Sequence, residues 1–468
     1  MSREYTSYND IEITDIAAEG KAVGRHEGKI IFVPYAIPGD VVNVQVVKNR
    51  HDYVEGVIKN IVTPSPHRVT PFCNHFGTCG GCKWQLLPYK MQLDYKQQQV
   101  LDQLSRIGKL TNLNIQPILP AKETLYYRNK LEFTFSDKRW LNNDEMTGEK
   151  PIEQRCGLGF HIPGMFDKVL DIETCHLQPN PSNDIRLAVR QYALAHQLPF
   201  FNLREQTGFL RTLIIRNSVS SGEVMVIVVF AYDDEKQRKG LLKHLQQQFP
   251  DITSLFYVIN GKRNDTIHDL DVNLFSGRDY MEEQLEDLSF KISPKSFFQT
   301  NSKQALRLYR TVRDFAGLTG KETVYDLYTG TGSIALFLAR QAAQVVGVEM
   351  TEDAIADAQQ NATRNRIFNT KFYAGDMKDL FKPDFIAANG SPDVIVLDPP
   401  RAGIHPDVAG NILDSGAQRL VYVSCNPATQ ARDLAWLSSH YHITCVQPVD
   451  MFPHTHHVEN IVLAEKNT

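Results

Sequence analysis

Between Val324 and Ser424, short apolar, β-branched runs alternate with amphipathic helical stretches, and this alternation limits the fold more than any other feature of the chain. Strands are expected at Val324–Tyr328, Gln344–Glu349, Lys371–Ala374, Val394–Asp398 and Arg419–Ser424, with helices at Ile334–Arg340 and Ala354–Asn365 among them. That rhythm means a parallel, doubly wound sheet whose ligand sits outside the carboxyl ends of its strands. The first strand runs straight into Gly330-Thr-Gly332, where glycine lets the backbone turn tightly and come close to a bound molecule. Glu349 closes the next strand, a place from which an acid reaches both hydroxyls of a ribose.

The rest of the chain has room for further domains. At 468 residues it exceeds one ordinary domain, and 42% hydrophobic residues with 22% charged exclude disorder or a fibre. No run approaches the roughly 18–20 apolar residues of a membrane span, so a cytoplasmic protein without a membrane partner, acting as a monomer, is expected. A net charge of −4 excludes a polycationic coat but allows a local basic surface. From Glu4 to Ile61, five short β-branched runs are separated by turns at Glu19-Gly20, Glu27-Gly28 and Pro38-Gly39-Asp40, the pattern of a small closed barrel. This segment resembles the TRAM domain, an OB-like barrel of RNA-modifying enzymes. The Thr63-Pro-Ser-Pro66 linker ends it, which gives expected domains at 1–66, 67–290 and 291–468. In the middle part, a helix is expected over Tyr89–Ile107 and strands at Lys130–Phe135, Cys156–His161, Thr212–Asn217 and Glu223–Ala231, an α+β domain.

The glycine turn lacks the third glycine of a dinucleotide fingerprint, and Asp326 stands where S-adenosylmethionine enzymes carry a strand-end acid. With Ala374-Gly-Asp376 and Asp398-Pro-Pro400, the pattern resembles a class I methyltransferase of Rossmann-like fold. Cys425, in Ser424-Cys-Asn-Pro427, follows a strand on the cofactor side and is placed to attack something bound there, whereas Cys445 reads as a buried core thiol. Uracil C5 is too poor a nucleophile to take a methyl group directly. A thiolate added at C6 makes C5 enolate-like, and a base must later remove the C5 proton. Glu459, in His454-Thr-His-His-Val-Glu-Asn460, is the candidate base, and its histidines are weak metal-ligand candidates.

The runs FFQTN, DLYTGTG, DPPRAG, VSCNPAT and HTHHVEN, in this order, resemble the RNA uracil-5-methyltransferase family over most of the chain. The resemblance implies Cys425 as nucleophile and Glu459 as base, and S-adenosylmethionine held by Gln299, Tyr328, Glu349, Asp398 and, more weakly, Asp376. Seven cysteines include the run Cys73-x5-Cys79-Gly-Gly-Cys82, which suits a metal in a cytoplasmic chain, with Cys175 or Cys156 as a fourth ligand and zinc or iron–sulfur as the group. The family pattern implies a [4Fe-4S] cluster on Cys73, Cys79, Cys82 and Cys175. Its expected substrate is ribosomal RNA, 23S by resemblance, with transfer RNA as the alternative. Eight basic residues against three acidic ones between Lys83 and Lys130 could meet phosphates, and Phe72, His75, Phe76 and Trp84 could stack bases. Two readings compete: an RNA-binding assembly factor that kept the fold, which has no need of both Cys425 and Glu459, and a dinucleotide redox enzyme, which the missing glycine disfavours.

Overall fold

The computed structural model describes residues 6–148 and 154–467. At the N-terminus β1 (Ser7–Ile16), β2 (Ala22–His26), β3 (Lys29–Val33), β4 (Val41–Asn49) and β5 (Tyr53–Thr63) close a barrel in the order β1-β2-β3-β5-β4, with β4 returning to β1. Alternate side chains point inward, so Ile11, Ile13, Ile31, Val33, Val42, Val44 and Val54 fill it. The barrel closes tightly enough that a Cβ on Gly56 would run into the Val44 side chain and the Gln45 carbonyl.

The middle sheet has seven strands: β6 (Lys130–Ser136), β7 (Gly157–Ile162), β8 (Met165–Asp171), β9 (Leu210–Asn217), β10 (Val224–Phe230), β11 (Ile252–Ile259) and β12 (Val272–Gly277). Their order is β12-β11-β10-β9-β6-β7-β8, and β10 pairs with β11 in parallel through the crossover helix Glu235–Gln248. That helix and Ser182–Ala195 lay Leu241, Leu242, Leu245, Ile185 and Val189 over Phe133, Leu213, Val226 and Val228. A hairpin of β13 (Met281–Leu285) and β14 (Leu288–Ile292) follows. Residue 291, where the sequence sets the start of the C-terminal domain, lies within β14. The hairpin packs against helices Ser333–Ala339 and Glu352–Arg364, which cover the C-terminal sheet, with Phe290 and Ile292 in their shared core, and the Lys291 amide donates to Asn361 Oδ1 at 2.7 Å.

The C-terminal sheet comprises β15 (Thr323–Leu327), β16 (Gln344–Glu349), β17 (Thr370–Ala374), β18 (Val394–Leu397), β19 (Arg419–Ser424), β20 (Tyr441–Val449) and β21 (Glu459–Lys466). Its order is β17-β16-β15-β18-β19-β21-β20, parallel through β19 and antiparallel in the last two. Both faces are apolar, as a parallel sheet covered by helices requires: Val324, Val345, Val394 and Val421 face one side, Tyr325, Val346, Ile395 and Leu420 the other. The order reverses at β15, so the crevice beyond its carboxyl end is the topological switch point. Helix Tyr89–Arg106, placed by sequence in the middle domain, packs Val100 and Leu104 on this sheet's helix Pro427–Leu437 through Ala431 and Leu434. After it, Ile115 and Leu119 bridge in parallel to Val446 and Val449 of β20. Among the described residues, no helix is long and apolar enough to cross a membrane.

Candidate active site

The carboxyl ends of β15, β16, β18 and β19 open on one cavity of about 1140 Å³. Its wall contains Gln299, Tyr328, Glu349, Asp376, Asp398, Cys425 and Glu459, so the fold brings together every catalytic and cofactor candidate read from sequence. At the end of β15 the amides of Tyr328 and Thr329 both donate to the Val348 carbonyl, at 2.9 and 3.0 Å, and Tyr328 takes a left-handed φ of 69°. Gly330 and Gly332 follow at φ 55° and 79°. A Cβ on Gly332 would sit 3.0 Å from Ala358, whereas Gly330 faces open space. The Glu349 carboxylate accepts from the amides of Gly330 (3.2 Å) and Thr351 (3.1 Å), which fixes it across the glycine turn. Asp326 lies below the wall, fully buried, and accepts from the Thr329 hydroxyl at 2.5 Å; it holds the turn rather than facing the cavity. Burial, with Glu349 adding, pushes its carboxyl up to about 7 against that hydrogen bond. Asp376 caps the helix Met377–Leu380 through the Lys378 amide at 3.1 Å, and the Gln299 carbonyl accepts from Asn129 Nδ2 at 2.9 Å.

Strand register places the other half of the site. Ser424 on β19 stands opposite Asn460 on β21, and one step outward come Cys425 and Glu459, side by side at the cavity floor. A buried amide network locks this register: Gln430 Nε2 donates to the carbonyls of Tyr422 (2.8 Å) and Asn460 (3.2 Å), and Asn460 Nδ2 donates to Gln430 Oε1 (2.7 Å). The turn after Cys425 is held to the Arg401 carbonyl by Asn426 Nδ2 at 3.0 Å and Thr429 Oγ1 at 3.1 Å.

Glu459 is 5% exposed, and burial pushes its carboxyl up to about 8, Asp398 adding and Arg401 opposing. The Cys425 thiol is pushed up to about 11 by burial, then by Glu459 and Asp398, again against Arg401. Burial, with Asp326 beside it, lifts Asp398 to about 7. Burial thus favours the protonated forms of Glu459, Asp398 and Cys425, and a positive charge brought beside them would favour their ionisation. Arg401 is a site residue that sequence reading passed over. Its signal was a cation directly after the strand-end acid in Asp398-Pro-Pro-Arg401. Phe452, from the turn between β20 and β21, also lines the cavity and carried no such signal.

Cys73, Cys79, Cys82 and Cys175 line a second cavity of about 150 Å³, and Cys156 lies outside its wall. Burial pushes the Cys79 and Cys82 thiols up to about 12 and about 11, neighbouring thiols adding. Among the described residues, no group of three or more His, Cys, Asp or Glu side chains is gathered to hold a metal ion. The four thiols are gathered only as the wall of this one small cavity. Phe72, His75 and Phe76 line this cavity. Trp84 is a core residue, donating from Nε1 to the Gly20 carbonyl at 3.2 Å. Lys96, counted in the basic run, is fully buried and unavailable to phosphate. His454, His456 and His457 are pushed down to about 4, 3 and 4 by burial, and Cys445 is half-buried in β20 rather than a core thiol.

A doubly wound sheet with a glycine turn, a strand-end acid and a cavity at its switch point is a Rossmann-like fold built to hold a nucleotide-bearing ligand. The family profile described as tRNA (uracil-5-)-methyltransferase matches residues 218–467, and that of the TRAM domain matches residues 6–59. An uncharacterised RNA methyltransferase of Bacteroides thetaiotaomicron is 57% identical over 453 residues, covering 96% of this chain and 100% of its own. One of Porphyromonas gingivalis is 57% identical over 465 residues, covering 98% and 100%. Among solved structures, the Pyrococcus abyssi tRNA (uracil-54, C5)-methyltransferase in complex with S-adenosyl-L-homocysteine superposes with a TM-score of 0.75 at 27% identity, covering 98% of this chain and 100% of that one. The chain belongs to the tRNA (uracil-5-)-methyltransferase family; it is an RNA (uracil-5-)-methyltransferase with a TRAM domain at its N-terminal end.

Proposed function

We propose that the protein moves a methyl group from S-adenosylmethionine to C5 of a uridine in structured RNA through a covalent bond between Cys425 and C6. The observation that carries this is the meeting of Cys425 and Glu459 in one cavity with Gln299, Tyr328, Glu349, Asp376 and Asp398. Those five side chains hold the methyl donor, Glu349 at the ribose. The cavity, at about 1140 Å³, has room for the donor and a base flipped out of its stack. The Cys425 thiolate, favoured by Arg401, adds to C6, and the C5=C6 electrons move onto C5. C5 takes the methyl carbon as its bond to the sulfonium breaks. Glu459 as carboxylate removes the C5 proton, C5=C6 re-forms, and the bond from C6 to Cys425 breaks to return the thiolate.

Cys73, Cys79, Cys82 and Cys175 would hold a [4Fe-4S] cluster with every iron occupied by a protein thiolate, which supports a structural or RNA-positioning role. The enzyme is read as a cytoplasmic monomer. Its proposed substrate is ribosomal RNA, 23S by resemblance; transfer RNA is a second reading, favoured by the substrate named for the Pyrococcus neighbour. The test is methyl-labelled S-adenosylmethionine with separated ribosomal and transfer RNA from cells lacking the gene, followed by nucleoside mass spectrometry. Labelled 5-methyluridine in one pool, lost with Cys425→Ala, is expected. No labelled uridine in either pool would leave an RNA-binding factor as the better reading.

A further inference from the structure

The residue that reads as the base is delivered by a strap, Asp450–Val458, which links β20 to β21 and is closed by the pairing of Val449 with Glu459. Phe452 of this strap lines the catalytic cavity. The strap makes no regular structure of its own and is held by side chains from elsewhere. Lys96, inside helix Tyr89–Arg106 and fully buried, donates to Asp450 Oδ1 at 2.6 Å and to the Phe452 carbonyl at 3.0 Å. Tyr89, about two turns earlier on the same helix, donates to Asp450 Oδ2 at 2.7 Å, and the Phe452 amide donates to Asp450 Oδ1 at 3.2 Å. Gln92 Oε1 accepts from the His454 amide at 2.8 Å. From the opposite side Asn301 and Gln304 donate to the carbonyls of Met451 and Asp450, each at 2.9 Å.

A buried ion pair is a poor way to gain stability, because an apolar pair of the same volume fills the space without the desolvation cost. What Lys96 adds is direction: two of its three donors fix one carboxylate oxygen and one carbonyl. The carboxylate shared by Lys96, Tyr89 and the Phe452 amide sets the first turn of the strap, and the strap's far end is Glu459. We propose that Lys96 and Asp450 are positioning residues for the proton-removal step, acting through the strap on Glu459. The inference rests on the roles given above to Cys425 and Glu459. A strap that shifts leaves Cys425, held by β19 and Asn426, free to add to C6, while the methylated adduct loses its C5 proton slowly and C6 stays bonded to sulfur.

The test compares wild type with Lys96→Met, the charge-balanced Lys96→Met/Asp450→Asn, and Tyr89→Phe, which keeps the ion pair. Each is incubated with labelled S-adenosylmethionine and total RNA from cells lacking the gene; turnover and the denaturation-resistant enzyme–RNA adduct are measured. Cys425→Ala and Glu459→Gln serve as references. The double variant is expected to keep KM for S-adenosylmethionine within about twofold and to lose turnover about a hundredfold, the scale of a misplacement near 1 Å. It should trap labelled adduct as Glu459→Gln does, with a smaller effect in Tyr89→Phe. Turnover near wild type in the double variant, or lost turnover with no adduct trapped in it while Glu459→Gln traps one, overturns the proposal. If Glu459→Gln itself traps none, the underlying assignment fails and this inference falls with it.

Discussion

Asp398 shows how the site stores protons. Its ordinary value is 3.8 and burial lifts it to about 7. Below 3.8 folded and unfolded chains are both protonated and the group's contribution to stability is whole. Between the two values the unfolded carboxyl ionises while the folded one keeps its proton, so that contribution falls as pH rises and is gone above about 7. The unliganded enzyme should therefore lose thermal stability between about pH 4 and 7, and Asp398→Asn should raise Tm at pH 8 by about 2–4 °C while changing it little at pH 4, as calorimetry would measure. A gain of the same size at both pH values would place the effect in packing instead. At this scale Cys425 and Glu459 were legible as candidates, from the family resemblance of the short runs that carry them, and the fold brings both into one cavity. Burial was not legible. Asp326 reads as the strand-end acid of S-adenosylmethionine enzymes and sits beneath the cavity wall, and Lys96 reads as one of a basic run and is a buried anchor. Only the folded chain decides which side of an element a charge faces.

The element that makes the site is the antiparallel pair of β19 and β21, since a slip by one residue would part Cys425 from Glu459. The Gln430–Asn460 amides guard against that slip. Asn460→Ala should destabilise the fold by about 1–3 kcal/mol, since it leaves the Gln430 carbonyl buried and unpaired, and should lower turnover. Urea unfolding and initial rates would check both. An unchanged midpoint would show that the register does not depend on the network. The central parallel strands were legible because they are apolar, mostly β-branched runs buried on both faces. The hairpin β13–β14 was missed because both strands are short and β13 is rich in Glu and Gln, and it is held by tertiary contacts, packing on helices Ser333–Ala339 and Glu352–Arg364 and hydrogen bonds to Asn361 and Asn365. Helix Tyr89–Arg106 was read with nearly its observed bounds, yet its partner lies across the molecule and no local pattern names it.

Across the whole molecule the strap joins two cavities, with Thr455 in the wall of the cysteine cavity and Phe452 in that of the catalytic one. The amides of Lys83 and Trp84, just past Cys82, both donate to the His454 carbonyl at 2.9 and 3.0 Å. Anaerobically purified protein is expected to be brown with about four iron and four sulfide per chain, the content of a [4Fe-4S] cluster. Cys79→Ser should lose that colour and lower turnover while S-adenosylmethionine still binds. A colourless wild type containing one zinc would replace the cluster with a zinc site. The covalent route through Cys425 is tested by trapping its intermediate. Glu459→Gln, mixed with labelled S-adenosylmethionine and RNA, then digested and analysed by mass spectrometry, should give a peptide containing Cys425 joined to a methylated uridine. An adduct that persists in Cys425→Ala, or none at all in Glu459→Gln while wild type makes 5-methyluridine, would contradict it.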